Sequence, residues 1–567
     1  MSRWRDNLKL GTRGARALYA AGVVRPLPPA TLRRVIQTGR RLQATPAASI
    51  AIAAARAPDG LAVADERGAL TWGQLDRRVR ALAGGLIDDY GAGPSRPVAI
   101  MCRNHRGALE ALGAAARTGA DVLALNTEFA PPQIAAALRN RTPAVVVHDE
   151  EFAERLNAAA IETPGLLAFA EEGDARWDAL ADSGRDFDEP VARRSQITIL
   201  TSGTTGAPKA AARDLPARAM LGAMTTLIEQ LGLRAGAPVL VAPPLFHGFG
   251  LGVAAIAQAL GAPVVLRRRF DPEAALEQIE RHRVACMVAV PVMLARILDL
   301  APDRRDSYDR SSLRAVLSAG APLAPALSDR FMVAFGDILH NGYGSTETGF
   351  GAIAGPTELR RSPGTVGHAP LGASIQILDE DRRPCPPGVT GHVFVGGDLV
   401  FDGYADGGSK ETAAGLMNTG DLGHVDGAGC VHIEGREDDM IVSGGENVFP
   451  QEVEDALGAH PGVREAAVVG VPDAEFGQRL LAFVVLRASE TPTAATLEAH
   501  LRGRLERYKL PREIVVLDEI PRTATGKVIR HALTTPPRAA GGNRDRPGQS
   551  ARQAETATYT GPSAEGR

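Results

Sequence analysis

The stretch Ile197-Thr-Ile-Leu-Thr-Ser-Gly-Thr-Thr-Gly-Ala-Pro-Lys209 constrains this chain more than any other. Ile197 to Leu200 is a short β-branched apolar run and predicts a buried strand. Six small residues follow, Thr201 to Gly206, in which Gly203 and Gly206 let the backbone turn and a ligand come close. Consecutive free N–H groups in such a turn make an anion-binding concavity. The hydroxyls of Thr201, Ser202, Thr204 and Thr205 add donors for phosphate oxygens, and Lys209 adds a positive charge behind the stiff Pro208. A Ser/Thr/Gly-rich surface turn is the commoner meaning of such composition. Here the loop follows an apolar strand directly, and strand ends are where ligands bind in α/β folds. A nucleotide-phosphate loop is the better reading. It is not a P-loop: no G-x-x-x-x-G-K-[ST] occurs, and the only Gly-Lys pair, Gly526-Lys527, is followed by Val528.

Strand and helix alternate around this stretch. Thr71 and Gln74 form a capping-box start, with Leu75, Val79, Leu82 and Leu86 on one helical face. Strands are predicted at 98–102, 122–125, 144–147, 239–242, 264–266, 285–290 and 315–317, and an Ala-rich helix at 107–118. Asp271-Pro272 opens another helix. Repeated β-α-β units predict an α/β fold of parallel sheets covered by helices. Short Gly- and β-branched-rich strands at 364–434 predict a small β-rich subdomain. Strands at 466–471, 480–486 and 514–517, with a helix at 493–507, predict a small α+β domain. The expected division is a basic N-terminal extension (1–45), a large domain (46–436), a small C-terminal domain (437–534) and a disordered tail (535–567) rich in Pro, Gly, Arg and Ser.

Composition excludes several classes. The 567 residues carry a net charge of −3, which argues against general nucleic-acid affinity. Cys102, Cys286, Cys385 and Cys430 form no C-x-x-C pair, and the twelve histidines show no H-E-x-x-H spacing, so no zinc site or disulfide framework is expected. No secretory or membrane-spanning run is visible, and a reducing, cytoplasmic setting fits. The first 45 residues hold ten Arg or Lys and one acid, Asp6, in two predicted helical pieces split by Pro26, Pro28 and Pro29. Such a segment can make peripheral contact with an anionic membrane, or can pack on the protein's own side with a solvated basic face. The second reading is favoured.

Further polar stretches stand out. Asn341-Gly-Tyr343-Gly344-Ser345-Thr346-Glu347-Thr348 sets an aromatic ring between two glycines, with hard oxygens of the kind Mg²⁺ prefers; taken alone, Glu347 could cap a helix or form a salt bridge. Asp421 follows a Thr-Gly turn, and a carboxylate is a good acceptor for ribose hydroxyls, although turns often contain Thr-Gly-Asp. From spacing alone, Glu437-Asp438-Asp439 is a solvated acidic turn and Lys527 an ordinary exposed lysine. His247, in Pro244-Leu-Phe-His-Gly-Phe-Gly250, reads alone as a satisfied core histidine.

Together these stretches resemble the adenylate-forming enzymes: acyl-CoA synthetases, peptide-synthetase adenylation domains and luciferases. Residues 201–209 match their T-S-G-T-T-G-x-P-K-G pattern up to Ala210, where the family has glycine. Tyr343 to Glu347 match Y-G-x-[ST]-E, residues 419–421 match T-G-D, and Pro521 to Lys527 match P-[KR]-T-x-T-G-K, all in the family's order. The resemblance spans about residues 50–533. It implies that Tyr343, beside Gly344, stacks on adenine, Thr346 contacts the α-phosphate and Glu347 holds Mg²⁺. It further implies that Asp421 and Arg436 bind ribose and phosphate, and that Asp438 is the hinge between domains. Gly445 would line the pantetheine channel, and Gly320-Ala321-Pro322 would run along the acyl site and adenine. His247 would line the acyl pocket, with the glycines of 248–252 and Gly320 leaving room for a slender apolar tail. Lys527 would bridge the substrate carboxylate and the α-phosphate. The implied activity is an AMP-forming ligase using ATP, Mg²⁺ and CoA on a carboxylic acid, expected to be a medium- or long-chain fatty acid. The alternatives are a fatty-acyl-AMP ligase that loads a carrier-protein pantetheine, and a non-catalytic binder that keeps the fold.

Overall fold

A computed structural model of the protein describes every residue except 1, 140, 172–175, 203–207, 212–216, 346, 398, 401–409, 444–445, 474–475, 488–491 and 535–567. The predicted alternation builds two large sheets. One has six strands in the order Gly165–Phe169, Val145–Asp149, Val98–Met101, Val122–Ala124, Ile197–Ser202 and Pro208–Ala211. Only its last pair is antiparallel. The other has eight strands, with Cys286–Ala289, Ala315–Ser318 and Val239–Val241 at its parallel centre. These strands are buried on both faces, as continuous apolar runs in parallel sheets must be. A five-residue strand, Gly165–Phe169, had no clear signal in the sequence.

The local signals were legible. Thr71 caps Trp72–Asp88: its hydroxyl accepts from the Gln74 N–H at 3.3 Å, and its own N–H donates to Gln74 Oε1 at 2.8 Å. Asp271 caps Pro272–His282, accepting from the Ala274 N–H at 2.8 Å. The basic N-terminal region forms two helices, Ser2–Ala20 and Pro29–Leu42. The first packs against Ala217–Leu231, burying Leu10 and Ala17, and Arg13 pairs with Glu229 at 2.7 Å. No described helix is long and apolar enough to cross a membrane.

Residues 365–436 form an antiparallel sheet that includes Gly391–Gly397, Leu416–Val425 and Val431–Arg436. The chain then passes through a short turn of helix, Glu437–Asp439, into a separate sheet carrying Val463–Asp473, Gly477–Leu486 and Glu513–Val516. The helix expected at 493–507 is shorter, Ala494–Arg502, with Thr493 as its cap. Gly503 ends it because glycine destabilises a helix interior.

Candidate active site

The site lies where the parallel strands of both large sheets end. Ile197–Ser202 runs two residues beyond the predicted apolar core and turns back as Pro208–Ala211. Lys209 is therefore a strand residue, in register with Thr201. Gly203, Thr204, Thr205 and Gly206 lie outside the described residues, as do Thr346 and Gly445.

Tyr343 lies on Leu339–Ser345 and Asp421 on Leu416–Val425, in different sheets. Their side chains meet: the Tyr343 hydroxyl donates to Asp421 Oδ2 at 2.5 Å. Gly344 permits the bulge after Tyr343, because a methyl there would lie 1.9 Å from the Gly349 carbonyl. The Tyr343 ring rests over Gly351, where an added methyl would be 3.4 Å away. Burial raises the Asp421 carboxyl against the hydrogen bond from Tyr343 and the charge of Arg436. The same burial, with Asp421 beside it, holds the Tyr343 hydroxyl well above its ordinary value. Arg436 Nη1 sits 3.5 Å from Asp421, and its Nε is 2.8 Å from Asp438 Oδ1. That pairing holds the Asp438 carboxyl low against the opposing effect of burial. Lys410, which carries no motif, donates to the Thr419 carbonyl at 2.8 Å and adds positive charge near Asp421. Nothing in the sequence singles out such a lysine.

Glu347 follows two residues after Ser345, whose Oγ accepts the Glu347 N–H at 3.2 Å. The oxygens of Ser345 and Glu347 make a hard donor set suited to Mg²⁺ and not to zinc.

His247, expected to line an acyl pocket, caps Gly248–Leu260; its Nδ1 accepts from the Phe249 N–H at 3.4 Å, leaving the ring proton on Nε2. The loop before it is held by Asn104, which sequence reasoning missed. The buried Asn104 amide donates to the Pro243 carbonyl at 2.8 Å, and its oxygen accepts the Leu245 N–H at 2.8 Å. Gly250 corrects one expectation. A methyl there would lie 2.5 Å from the Pro244 carbonyl, so this glycine serves the approach of helix to loop and opens no room for a ligand. A methyl at Gly252 would meet nothing within 4 Å. Gly320 adopts φ +87° in the turn with Ala321 and Pro322, and lies against Val290 and Phe249.

The Lys527 turn of the small domain docks onto this wall. Gly526 adopts φ +81°, and a methyl there would lie 3.1 Å from side-chain carbons of both Val290 and Val292. The turn is braced internally: the Lys527 N–H donates to Thr523 Oγ at 3.2 Å, and Arg522 Nη1 donates to the Gly526 carbonyl at 2.8 Å. Burial, with the Lys527 charge as the second cause, pushes His247 down to about 4. Its imidazole is therefore neutral at physiological pH. Elsewhere the domains are joined by Arg487 and Asp299, 2.8 Å apart.

Comparison with known proteins agrees with this geometry. The AMP-binding enzyme family matches residues 50–405, and the AMP-binding enzyme C-terminal domain matches residues 452–527. The chain is 35% identical to a feruloyl-CoA synthase of Amycolatopsis sp over 481 residues, covering 83% of this chain and 95% of that protein. It is 36% identical to an indoleacetate–CoA ligase of Aromatoleum aromaticum, covering 81% and 91%. The structure of o-succinylbenzoate CoA synthetase from Bacillus subtilis, solved with its acyl-adenylate intermediate, aligns with a TM-score of 0.75 at 27% identity, over 86% of this chain and 98% of that one. The chain belongs to the AMP-binding enzyme family, the adenylate-forming superfamily, with acyl-CoA ligases as its relatives.

Proposed function

We propose that the protein is an ATP-dependent, AMP-forming CoA ligase for an apolar carboxylic acid, with an aryl or arylalkanoic acid as the first reading. The observation that carries it is the docked Lys527 turn, which brings an ammonium to the edge of an apolar wall facing His247. In the first half-reaction a carboxylate oxygen attacks the α-phosphorus of ATP, and the bond to the β-phosphate oxygen breaks to release pyrophosphate. Lys527 offsets the repulsion between carboxylate and phosphate and aligns the attack. Tyr343 and Asp421 hold the adenosine, with Arg436 beside the ribose. Mg²⁺ would be held by Glu347, and when bound it neutralises triphosphate charge. In the second half-reaction the CoA sulfur attacks the acyl carbon, AMP departs with the bonding electrons, and the thiol proton goes to solvent. That step needs Lys527 withdrawn, by rotation of the small domain about Asp438.

The acid is argued from the wall. Phe249, Val290, Val292 and Gly320 offer apolar contact, and neutral His247 brings no charge to pair with a second carboxylate. The two relatives at 35% and 36% identity are named for feruloyl and indoleacetate substrates, both aromatic. A fatty acid, the class expected from sequence, is the second reading, favoured by the open space over Gly252. Incubation with ATP, Mg²⁺, CoA and a panel of aryl and straight-chain acids, read by mass spectrometry, tests both. An acyl-CoA and AMP from an aryl acid supports the first reading. Product from fatty acids alone replaces it with the second, and acyl-AMP without acyl-CoA would point to a carrier-protein acceptor.

A further inference from the structure

A second cationic site lies away from this chemistry. Helices Pro29–Leu42, Pro46–Arg56 and Trp72–Asp88 enclose a cleft of about 410 Å³ with Arg117. Arg117 ends the helix Arg106–Thr118, which returns from the last residue of Val98–Met101 to the first of Val122–Ala124. The cleft is thus at the opposite ends of the parallel strands from Ser202, the last residue of Ile197–Ser202.

Five guanidiniums line it, Arg34, Arg41, Arg77, Arg80 and Arg117, against the carboxylates of Asp76 and Asp188. Arg117 forms the floor, with a side chain only 1% exposed. Its two terminal nitrogens are fixed by Asp76 at 2.8 Å and Asp188 at 3.1 Å, while its Nε is buried and has no hydrogen-bond partner. Arg80 pairs with Asp186 at 3.0 Å, and its buried Nε faces Asp76 Oδ2 at 3.6 Å. Arg41 pairs with Asp188 at 2.9 Å. At the rim, the exposed Arg34 and Arg77 make no hydrogen bond or ion pair among the described residues. The cleft therefore keeps an excess of positive charge after its internal pairs are counted. The cleft thus sets two exposed, unpaired guanidiniums beside buried arginines whose charge its carboxylates only partly offset, which favours an acceptor-rich occupant. Ala51, Ala54, Ala55 and Leu42 supply an apolar wall beside the arginines.

We propose that this cleft binds a small phosphate-bearing polyanion, with a pyrophosphoryl or phosphate monoester group held by Arg34 and Arg77 above the buried positive charge of Arg80 and Arg117. Guanidinium forks suit phosphate oxygens, which accept several donors at once. The group belongs to a soluble phosphate compound or to a phospholipid headgroup, and both present the same chemistry to these arginines.

The test is isothermal titration of inorganic pyrophosphate into the full chain, with the nucleotide site saturated by α,β-methylene ATP and Mg²⁺. The expected result is one further binding event, weakened at least about ten-fold in Arg34→Ala/Arg77→Ala and largely kept in Arg34→Lys/Arg77→Lys. Both variants should keep the wild-type melting temperature and acid-activating rate, because neither residue has a partner to lose. A parallel sedimentation with phosphatidylglycerol vesicles separates the sources. Vesicle binding that the double alanine variant loses, with no binding of free pyrophosphate, assigns the phosphate to a lipid headgroup, and pyrophosphate binding without vesicle binding assigns it to a soluble compound. Absence of both binding events in the wild type, or equal binding by the folded double alanine variant, overturns the proposal.

Discussion

The Tyr343 hydroxyl and Asp421 Oδ2, 78 residues apart in sequence, stand 2.5 Å apart and lock two strands of different sheets into one unit. The carboxylate is buried, so this bond matters: a hydrogen bond to a charged group contributes about 1.5–3 kcal/mol. Tyr343→Phe keeps the ring and removes the bond. The KM for ATP should rise about ten-fold in pyrophosphate exchange with little change in the KM for the acid. An unchanged ATP KM would show that the pair does not position the nucleotide.

Lys527→Ala should lower acyl-AMP formation by about 10²–10³, the usual loss on removing one charge-stabilising donor. Thioester formation from supplied acyl-AMP and CoA should persist, because the proposed second half-reaction works with Lys527 withdrawn. Equal loss of both half-reactions in a folded variant would count against separate domain positions.

His247 reports on the docking of Lys527. Its folded-state value of about 4 lies below the ordinary 6.5, so the unfolded chain takes up this proton first. The site's contribution to stability is complete above about 6.5, falls as pH drops towards 4, and levels off below. Lys527→Met removes a nearby positive charge, and the His247 titration followed by NMR should move upward. No movement would mean that the two residues are not neighbours in solution.

Asp299 and Arg487 join the two domains through a partly exposed pair, of a kind that contributes up to about 1 kcal/mol. Asp299→Asn should lower the adenylation rate a few-fold, and added salt should reduce the difference from wild type. The thioester-forming step should be unaffected. A loss confined to that step would reverse the assigned role.

Gly250→Ala places a methyl 2.5 Å from the Pro244 carbonyl and 2.6 Å from that of Pro243. The backbone must shift, so thermal unfolding should show a loss of about 1–3 kcal/mol. A wild-type melting temperature would mean that the loop yields freely.

Much of this was legible because it rests on local physics. The Thr71 and Asp271 caps, the doubly buried strands and the glycine-punctuated turn at 522–527 each follow from neighbouring residues. Helix ends were read less well: the small-domain helix stops at Arg502 although Leu505 continues the apolar spacing. Spacing cannot show whether a leucine packs from a helix or from the chain beyond it. The glycines near the acyl side were also misread in part, because a missing side chain opens space only where no backbone fills it, and carbonyls fill it at Gly250.

The sequence by itself determined the class of fold and, through its resemblance to the adenylate-forming enzymes, the family, because the alternation of strands and helices and the motif order are carried by residue types at short spacing. Only the tertiary structure decided that Tyr343 reaches Asp421, that Asn104 holds the His247 loop, and that Lys410 sits by the Asp421 carboxylate. It alone gathered five arginines from two helices and the end of a third into one cleft. These pairings join residues from separate sheets and helices, and their strength depends on burial, which appears only when the whole chain has packed.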